Sequence, residues 1–473
     1  MTMAVERPKD LPEALYDVAG VETVDREAMR IANLSDEAFA RRAAAAALSA
    51  MRRRYPDARR VAILVGPGKN GRDGRLLATT PTSAGVTMEL VEPGRIAAPV
   101  VAQILAGSDL IVDALFGIGL RGCPEGQWLD AIEAANRSGR PIFALDIPSG
   151  IDASTGSVPG VGIEADATLC FVALKAGLFT GDALDCRGSL LFDSLDVPVE
   201  AYAQVAPVAI RMRNPRTIPL PNARRNTHKG EKGSVLIVGG GPGMPGAVRL
   251  AGEAAYAGGA GTVTIATHAV HAACLNVTVP ELIVHGVDDL ALLEGRRFDA
   301  LAIGSGLGQS AWAQILWQQA LTFSGPTVVD GDALRLLARS PIRRPDFVLT
   351  PHPGEAAALL GCSVSAVQSD RRGASARIAE TFGGVCVLKG AGTIVTGAND
   401  CFICDCGSTA LATAGTGDVL AGLIAAFLAR GLASPEAARL AVMLHGRAGE
   451  HAARPGLRAS GLIPWIWRDL DAP

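Results

Sequence analysis

The sequence predicts an α/β protein of two domains, each built on a mostly parallel sheet covered by helices. Three observations carry that reading. Strand-like apolar runs alternate with helical stretches through the first part of the chain. The alternation breaks between Ala206 and Thr227 and then starts again. Of the 473 residues, 49% are apolar but only 4% are aromatic, so Ala, Val, Leu and Ile must fill the core. That composition suits strands buried on both faces. The length allows about two or three domains.

In the first half the strand candidates are Val61–Gly66, Thr87–Glu92, Leu110–Leu115, Pro141–Ile147 and Thr168–Leu174. Helical stretches such as Asp36–Arg54 and Trp128–Ser138 lie among them, which argues for a Rossmann-like sheet. Between Ala206 and Thr227, Pro207, Pro215, Pro219 and Pro221 sit among Arg211, Arg213, Arg216, Arg224 and Arg225. This stretch reads as an extended, solvated linker. The domains are accordingly residues 1–213 and 214–473. In the second half the candidates are Ser234–Gly239, Thr262–Thr267, Ala300–Ile303, Thr327–Asp330, Phe347–Thr350, Val385–Leu388 and Thr393–Thr396. A helix follows Asp418, with Leu420, Leu423, Ile424, Phe427 and Leu428 on one side and the small Ala421, Gly422, Ala425 and Ala426 allowing close neighbours.

Net charge is −3, which gives no general case for nucleic acid or an anionic membrane. The apolar run Val419–Ala429 is too short to span a bilayer, and Met1–Asp10 lacks a signal-peptide core. Nine scattered cysteines then point to free thiols in a reducing cytoplasm. Cys401, Cys404 and Cys406 alternate like a strand; with no second Cys-x-x-Cys pair, strand thiols are favoured over a metal or redox site.

Five corners in the second half follow strands, where ligands of parallel sheets bind. They are Gly239–Ala247, Gly304–Gly308, Thr350–Glu355, Lys389–Thr393 and Ala414–Asp418. The last joins a glycine turn, a helix start and one carboxylate. Such a turn is an anion site, so a carboxylate there is out of place unless it works as a base. Asp418 would take a proton from a hydroxyl as it attacks a phosphate. His352 and Glu355 offer an imidazole and a carboxylate on one rigid turn. Together these features predict a nucleotide-dependent enzyme, with a small-alcohol kinase as one form.

In the first half, Gly66-Pro67-Gly68-Lys69-Asn70-Gly71-Arg72-Asp73-Gly74 follows a strand but lacks the GxGxxG spacing. Asp113 and Asp146 each end a strand and could share one cleft with Asn70, for a hard cation or a proton transfer. Capping of a turn is an equal reading of each Asp.

The second half resembles the ADP-dependent NAD(P)H-hydrate dehydratases, which have a ribokinase-like fold. The matching residues are Asn226-Thr227-His228-Lys229-Gly230, Gly246-Ala247, Gly304-Ser305-Gly306-Leu307-Gly308, Thr350-Pro351-His352-Pro353-Gly354-Glu355, Lys389-Gly390 and Gly415-Thr416-Gly417-Asp418. The resemblance implies that Ala247, Gly306 or Gly308, His352 and Asp418 contact the hydrated NADH or NADPH, with Asp418 catalytic. It also implies that Lys389, Gly390, Ala391, Gly392, Thr393 and Gly417 hold ADP, with Mg2+ screening the phosphates and Glu355 a candidate to orient it. Leu15 to Val208 resembles an NAD(P)H-hydrate epimerase domain, most clearly at Asp113–Gly122 and Leu145–Gly156. There the resemblance implies K+ held by Asn70, Asp113 and Ser149. Substrate would meet Asn70, Gly71, Asp73, Gly117, Ile118, Gly119, Leu120, Arg121, Gly122, Cys123 and Asp146, with Asp146 a candidate base. A cytoplasmic homo-oligomer, tetramer or larger, is expected. One departure stands out. The family loop reads Asn-Asn-Gly-Gly-Asp-Gly, and here Lys69 and Arg72 add two charges. They could attract a pyrophosphate, or block it and repel K+; in the latter case the first half is a binding module.

Overall fold

The structure, a computed structural model, describes residues 10–82, 85–221, 225–398, 400–454 and 456–471. The chain divides into two compact units, Met1–Arg211 and Met212–Pro473. Both are α/β, with a parallel arrangement dominating each sheet.

Nine strands are described up to the end of the first unit. They are β1 (Ala14–Tyr16), β2 (Arg60–Val65), β3 (Thr87–Val91), β4 (Leu110–Ala114), β5 (Ile142–Leu145), β6 (Ala167–Phe171), β7 (Leu174–Lys175), β8 (Ser189–Asp193) and β9 (Ala209–Met212). Six form one parallel sheet in the order β3-β2-β4-β5-β6-β8. Side chains alternate across β2. Val61, Ile63 and Val65 pack with Ala43, Ala47 and Ala50 of the Asp36–Arg54 helix, while Ala62 and Leu64 pack with Leu105 and Ile132 on the opposite face. Burial on both faces explains why these strands read as continuous apolar runs. The Gly66–Gly74 stretch is less of a loop than expected. A helix already starts at Lys69 and runs to Thr79. A Cβ at Gly71 would collide with the Gly66 carbonyl oxygen, and one at Gly74 would sit 2.6 Å from the Ala114 methyl. Glycine lets this helix lie directly on the strand ends.

The segment read as a solvated linker contains β9, which pairs antiparallel with β1. Arg211 is 4% exposed and donates to the carbonyls of Leu11 (2.7 Å) and Pro12 (3.1 Å). Arg213 bonds Glu450 at 3.2 Å and the Asp405 carbonyl. The guanidinium groups find buried carbonyls from distant segments, which composition does not reveal. Arg224 lies outside the described residues.

In the second unit β10 (Ser234–Val238), β11 (Thr262–Thr267), β12 (Ile283–Gly286), β13 (Ala300–Ile303), β14 (Thr327–Val329), β15 (Phe347–Leu349) and β16 (Val385–Leu388) are parallel, in the order β12-β11-β10-β13-β14-β15-β16. β17 (Ile394–Thr396) and β18 (Cys401–Cys404) continue antiparallel. β1, β8, β9 and β12 were not expected from the sequence. The helix that carries Asp418 spans Thr416–Ala429 and is buried on every side from Val419 to Ala429, not along one face. A Cβ at Gly422 would collide with the Ala251 carbonyl oxygen, so glycine sets the close approach of the Pro245–Ala257 helix. A helix apolar all round belongs inside a core, and this one is fixed at its N-terminus as a result. No described helix is long and apolar enough to cross a membrane.

Candidate active sites

In the second unit the polar groups converge where the Thr416–Ala429 helix begins. Gly415 is its N-cap at φ +91°, a left-handed turn open to glycine. No side chain caps the helix, so its first amides face outward for an anion. A Cβ at Gly417 would lie only 3.3 Å from Lys389 Nζ, which places the ammonium beside those amides. Asp418 lies in the same first turn, half-buried, and the Ser305 hydroxyl hydrogen-bonds it. Burial, with the nearby Asp330 carboxylate, pushes Asp418 up to about 6, against the pull of Ser305 and Lys389. A carboxyl of that strength is ionised at neutral pH yet basic enough to accept a proton.

Lys389 is held from behind. It donates to Asp330 Oδ1 at 2.8 Å and lies 3.8 Å from Glu355 Oε2. Thr350 Oγ1 donates to the same Asp330 oxygen at 2.6 Å. Burial opposes the ammonium, but Asp330 and Glu355 outweigh it and raise its pKa. Burial raises Glu355 to about 7, with Lys389 opposing. The turn Gly390–Thr393 between β16 and β17 is closed by Thr393 Oγ1 donating to the Gly390 carbonyl, with Gly390 at φ +130° and Gly392 at φ +64°. Arg371, 1% exposed, supports it by donating to the Lys389 carbonyl at 3.1 Å.

His352 and Glu355 form a reciprocal cap on the Pro353–Leu360 helix. His352 Nδ1 accepts from the Gly354 and Glu355 amides (3.0 and 3.3 Å), and Glu355 Oε2 accepts from the His352 amide at 2.8 Å. Two amides at Nδ1 put the ring proton on Nε2. Burial and Lys389 lower the His352 pKa, so the ring is neutral. Its side chain is 51% exposed. Ala247 and Gly306 sit together: a Cβ at Gly306, where φ is +58°, would come within 3.0 Å of the Ala247 methyl. Gly308 donates its amide to Asp332 at 2.8 Å. Two glycines of the Gly239–Ala247 corner are required by packing. A Cβ at Gly239 would strike the Ser305 carbonyl oxygen, and one at Gly240 would lie 2.5 Å from Thr267 Oγ1. These two allow the close packing of neighbouring strand ends.

The first unit encloses a cavity of about 520 Å³. Asn70, Asp73, Asp146 and Gly117 to Arg121 line it, as do Lys69 and Arg72. Gly71, Gly122 and Cys123 do not, although the sequence grouped them with substrate contacts. Behind Asn70 lies a buried oxygen-rich cluster. Ser149 donates its amide and hydroxyl to the two Asp113 oxygens, both at 2.7 Å. Ser149 Oγ accepts from the Phe116 amide at 2.9 Å. Asn70 Nδ2 donates to the carbonyls of Phe116 (2.8 Å) and Leu145 (3.1 Å), which leaves Asn70 Oδ1 buried without a partner. Burial raises Asp113 to about 6, with the Ser149 bonds opposing. An orphaned oxygen beside a sealed carboxyl fits a hard monovalent cation.

Asp146 adopts φ +66°, an uncommon conformation for a residue with a side chain, and strain of this kind gathers at functional sites. It pairs with Lys175, which is 1% exposed, and accepts the Phe171 amide at 3.2 Å. Burial disfavours the Lys175 ammonium, but Asp146 and then Cys170 outweigh it and raise its pKa. Arg72 turns to Asp36, with Asp73 3.7 Å away, so its charge is answered by carboxylates. Burial raises Asp73 to about 7 against the pull of Arg72.

The sequence reading missed Ser305, Asp330, Asp332 and Arg371 in one site and Asp25 and Lys175 in the other. Asp330-Gly331-Asp332 carried the signal used for Asp113 and Asp146, a carboxylate just after a strand. Lys175 interrupts an apolar run, which marks a lysine with a buried partner. Asp25, mid-helix, carried no local signal.

The comparisons with known proteins follow the same division. The family model of NAD(P)H-hydrate dehydratase matches residues 235–460, and that of the YjeF-related protein N-terminus matches residues 89–177. The bifunctional NAD(P)H-hydrate repair enzyme Nnr of Escherichia coli (strain K12) is 39% identical, over 96% of this chain and 92% of its own. That of Coxiella burnetii is 37% identical, over 96% of this chain and 98% of its own. The ADP/ATP-dependent NAD(P)H-hydrate dehydratase from Bacillus subtilis, co-crystallised with ATP/Mg2+, is 30% identical with a TM-score of 0.50, covering 54% of this chain and 95% of that one. A ribokinase-like superfamily protein from Enterococcus faecalis V583 is 28% identical with a TM-score of 0.50, covering 53% and 90%. The chain belongs to the family of bifunctional NAD(P)H-hydrate repair enzymes, with a YjeF-type N-terminal domain joined to a dehydratase domain of ribokinase-like fold.

Proposed function

We propose that residues 214–473 return (6S)-NADH hydrate and (6S)-NADPH hydrate to NADH and NADPH at the expense of ADP, and that residues 1–213 interconvert the R and S hydrates. The observation that carries the first part is Asp418 beside an uncapped helix N-terminus and the Lys389 ammonium. Hydroxide is a poor leaving group from C6 of the reduced ring. Asp418 takes the C6 hydroxyl proton while that oxygen attacks the terminal phosphate of ADP, releasing AMP. The Gly417 amide and Lys389 hold the developing charge. The C6–O bond then breaks, pushed by the ring nitrogen; phosphate leaves and a C5 proton is lost. Mg2+, when bound with the nucleotide, screens its phosphates. Lys389 to Thr393 and Gly417 hold the nucleotide, while Ala247, Gly306, Gly308 and the outer edge of His352 face the hydrate.

In the first unit Asn70, Asp113 and Ser149 would hold K+, supported by the orphaned Asn70 oxygen. Its positive charge would steady the strand ends that carry the substrate loop Gly117–Arg121. Asp146 is the base, and Asp73 contacts the substrate. The active form is a homo-oligomer, tetramer or larger, working in the cytoplasm; light scattering of the purified chain tests its size. The main test mixes the S hydrate with Mg-ADP and follows reduced-nicotinamide absorbance, AMP and phosphate. Equal amounts of NADH, AMP and phosphate are expected. No recovery of absorbance, with ADP or ATP, sinks the dehydratase reading.

A further inference from the structure

Epimerisation at C6 by hydroxyl exchange removes a hydroxyl from one face of the ring and adds water to the other. That takes one group to protonate the leaving oxygen and one to deprotonate the incoming water. Asp146 is a single carboxyl. Four more carboxyls line the cavity: Asp36 and Asp73 lie against Arg72, Glu22 is exposed, and Asp25 remains. Asp25, from the Val18–Ile31 helix, lines the same cavity as Asp146 and Lys175. Its Oδ1 is buried and has no hydrogen-bond partner. Lys175 cannot supply one. Its three N–H bonds already go to Asp146 Oδ1, the Phe171 carbonyl at 3.0 Å and Cys170 Sγ at 3.4 Å. A carboxyl with one sealed, unpaired oxygen is penalised when charged, whereas Asp146 is charge-paired. Asp25 and Asp146, set apart by their surroundings within one cavity, can divide acid and base roles.

We propose that Asp25 is a catalytic residue of the first unit, the acid that protonates the departing C6 hydroxyl while Asp146 takes the proton of the water that replaces it. The inference rests on the epimerase reading of this cavity. The C6–O bond breaks with its electron pair on oxygen, and the Asp25 proton converts that oxygen to water. The ring nitrogen's lone pair fills the vacancy at C6 as an iminium. A second water then bonds to C6 from the other face, and its surplus proton goes to Asp146. Solvent returns the proton from Asp146 to Asp25, and no oxidant or further reactant is needed.

Burial raises Asp25 to about 6, which keeps part of it protonated near neutral pH. Lys175 and Lys69 favour its ionised form, while Asp146 and Glu22 oppose it. Tyr202, raised mainly by burial to about 12, faces it as a neutral phenol.

The test uses the full chain with the R hydrate and no ADP, so that the S product accumulates and is separated by chromatography. The parent is measured first against the spontaneous rate. Asp25→Asn should lower kcat by about 100-fold or more with KM within about threefold, and should remove the high-pH limb of the kcat profile. Asp25→Glu should restore part of the rate and the limb. A kcat for Asp25→Asn within about threefold of the parent overturns the proposal. So does a slowed variant whose pH profile keeps its shape, which marks a structural role. If Asp25→Asn does not fold, a parent profile with no high-pH limb overturns it equally. A parent no faster than the spontaneous reaction instead overturns the epimerase reading itself.

Discussion

Replacing Asp418 by Asn tests the central assignment with little change in shape. The amide keeps the volume and can still meet the Ser305 hydroxyl, but it cannot accept the substrate proton. General-base catalysis contributes about 100- to 10,000-fold, so kcat for dehydration should fall by that factor, or about 3–5 kcal/mol of barrier. The structure also fixes the pH dependence. Burial and Asp330 bring Asp418 up to about 6. The base works ionised, so the parent rate should be half-maximal near that pH and flat above about pH 7. At pH 5 only about one-tenth of the carboxyl is ionised, and the rate should drop about tenfold. The assay is return of NADH absorbance from the S hydrate with saturating Mg-ADP between pH 5 and 8. Asp418→Asn should be slow across the whole range and should lose the acid limb. A variant within about tenfold of the parent, or a slow one that keeps a limb near pH 6, would show that another group accepts the proton.

Lys389→Met removes the ammonium between Asp330 and Glu355 and should cost about 3–5 kcal/mol, read as a lower urea midpoint for the second unit. Glu355 is already raised in the folded state, so the folded form binds more protons as pH falls. The loss should therefore be largest at pH 8 and shrink towards pH 5; a loss that grows on acidification refutes the pairing. Asn70→Ala removes one of two donors from each of the Phe116 and Leu145 carbonyls, which keep Ser149 Oγ and the Ile147 amide, so it should cost only about 0.5–1.5 kcal/mol and should abolish the response of epimerisation to KCl. A variant still stimulated by KCl over NaCl would remove Asn70 from the cation site. Gly71→Ala should destabilise the first unit by at least about 1–3 kcal/mol, because its methyl meets the Gly66 carbonyl. Gly107→Ala, where a Cβ meets nothing, should leave the melting temperature within about 1 °C.

The strands that positioned both sites were legible because each is a continuous apolar run, and burial on both faces needs nothing else. The Gly415–Asp418 turn was legible for a related reason: a left-handed glycine, a helix start and a carboxylate are adjacent in the chain. β12 was not, since its residues are only partly buried and its pattern is weak. Arg211 was misread because its partners, Leu11 and Pro12, lie some 200 residues away.

By itself, the sequence determined that the chain makes two α/β units and that Asp418 stands at an anion-binding helix start, since propensity, glycine conformation and hydrophobic period act between near neighbours. Only the tertiary structure decided what Asp418 is. Its basicity depends on Asp330, Lys389 and Ser305, which come from three other strand ends, with Asp330 and Lys389 59 residues apart. It also decided that Arg72 answers Asp36 and that Asp25 opens onto the same cavity as Asp146. Desolvation and charge act through space, between groups that packing brings together.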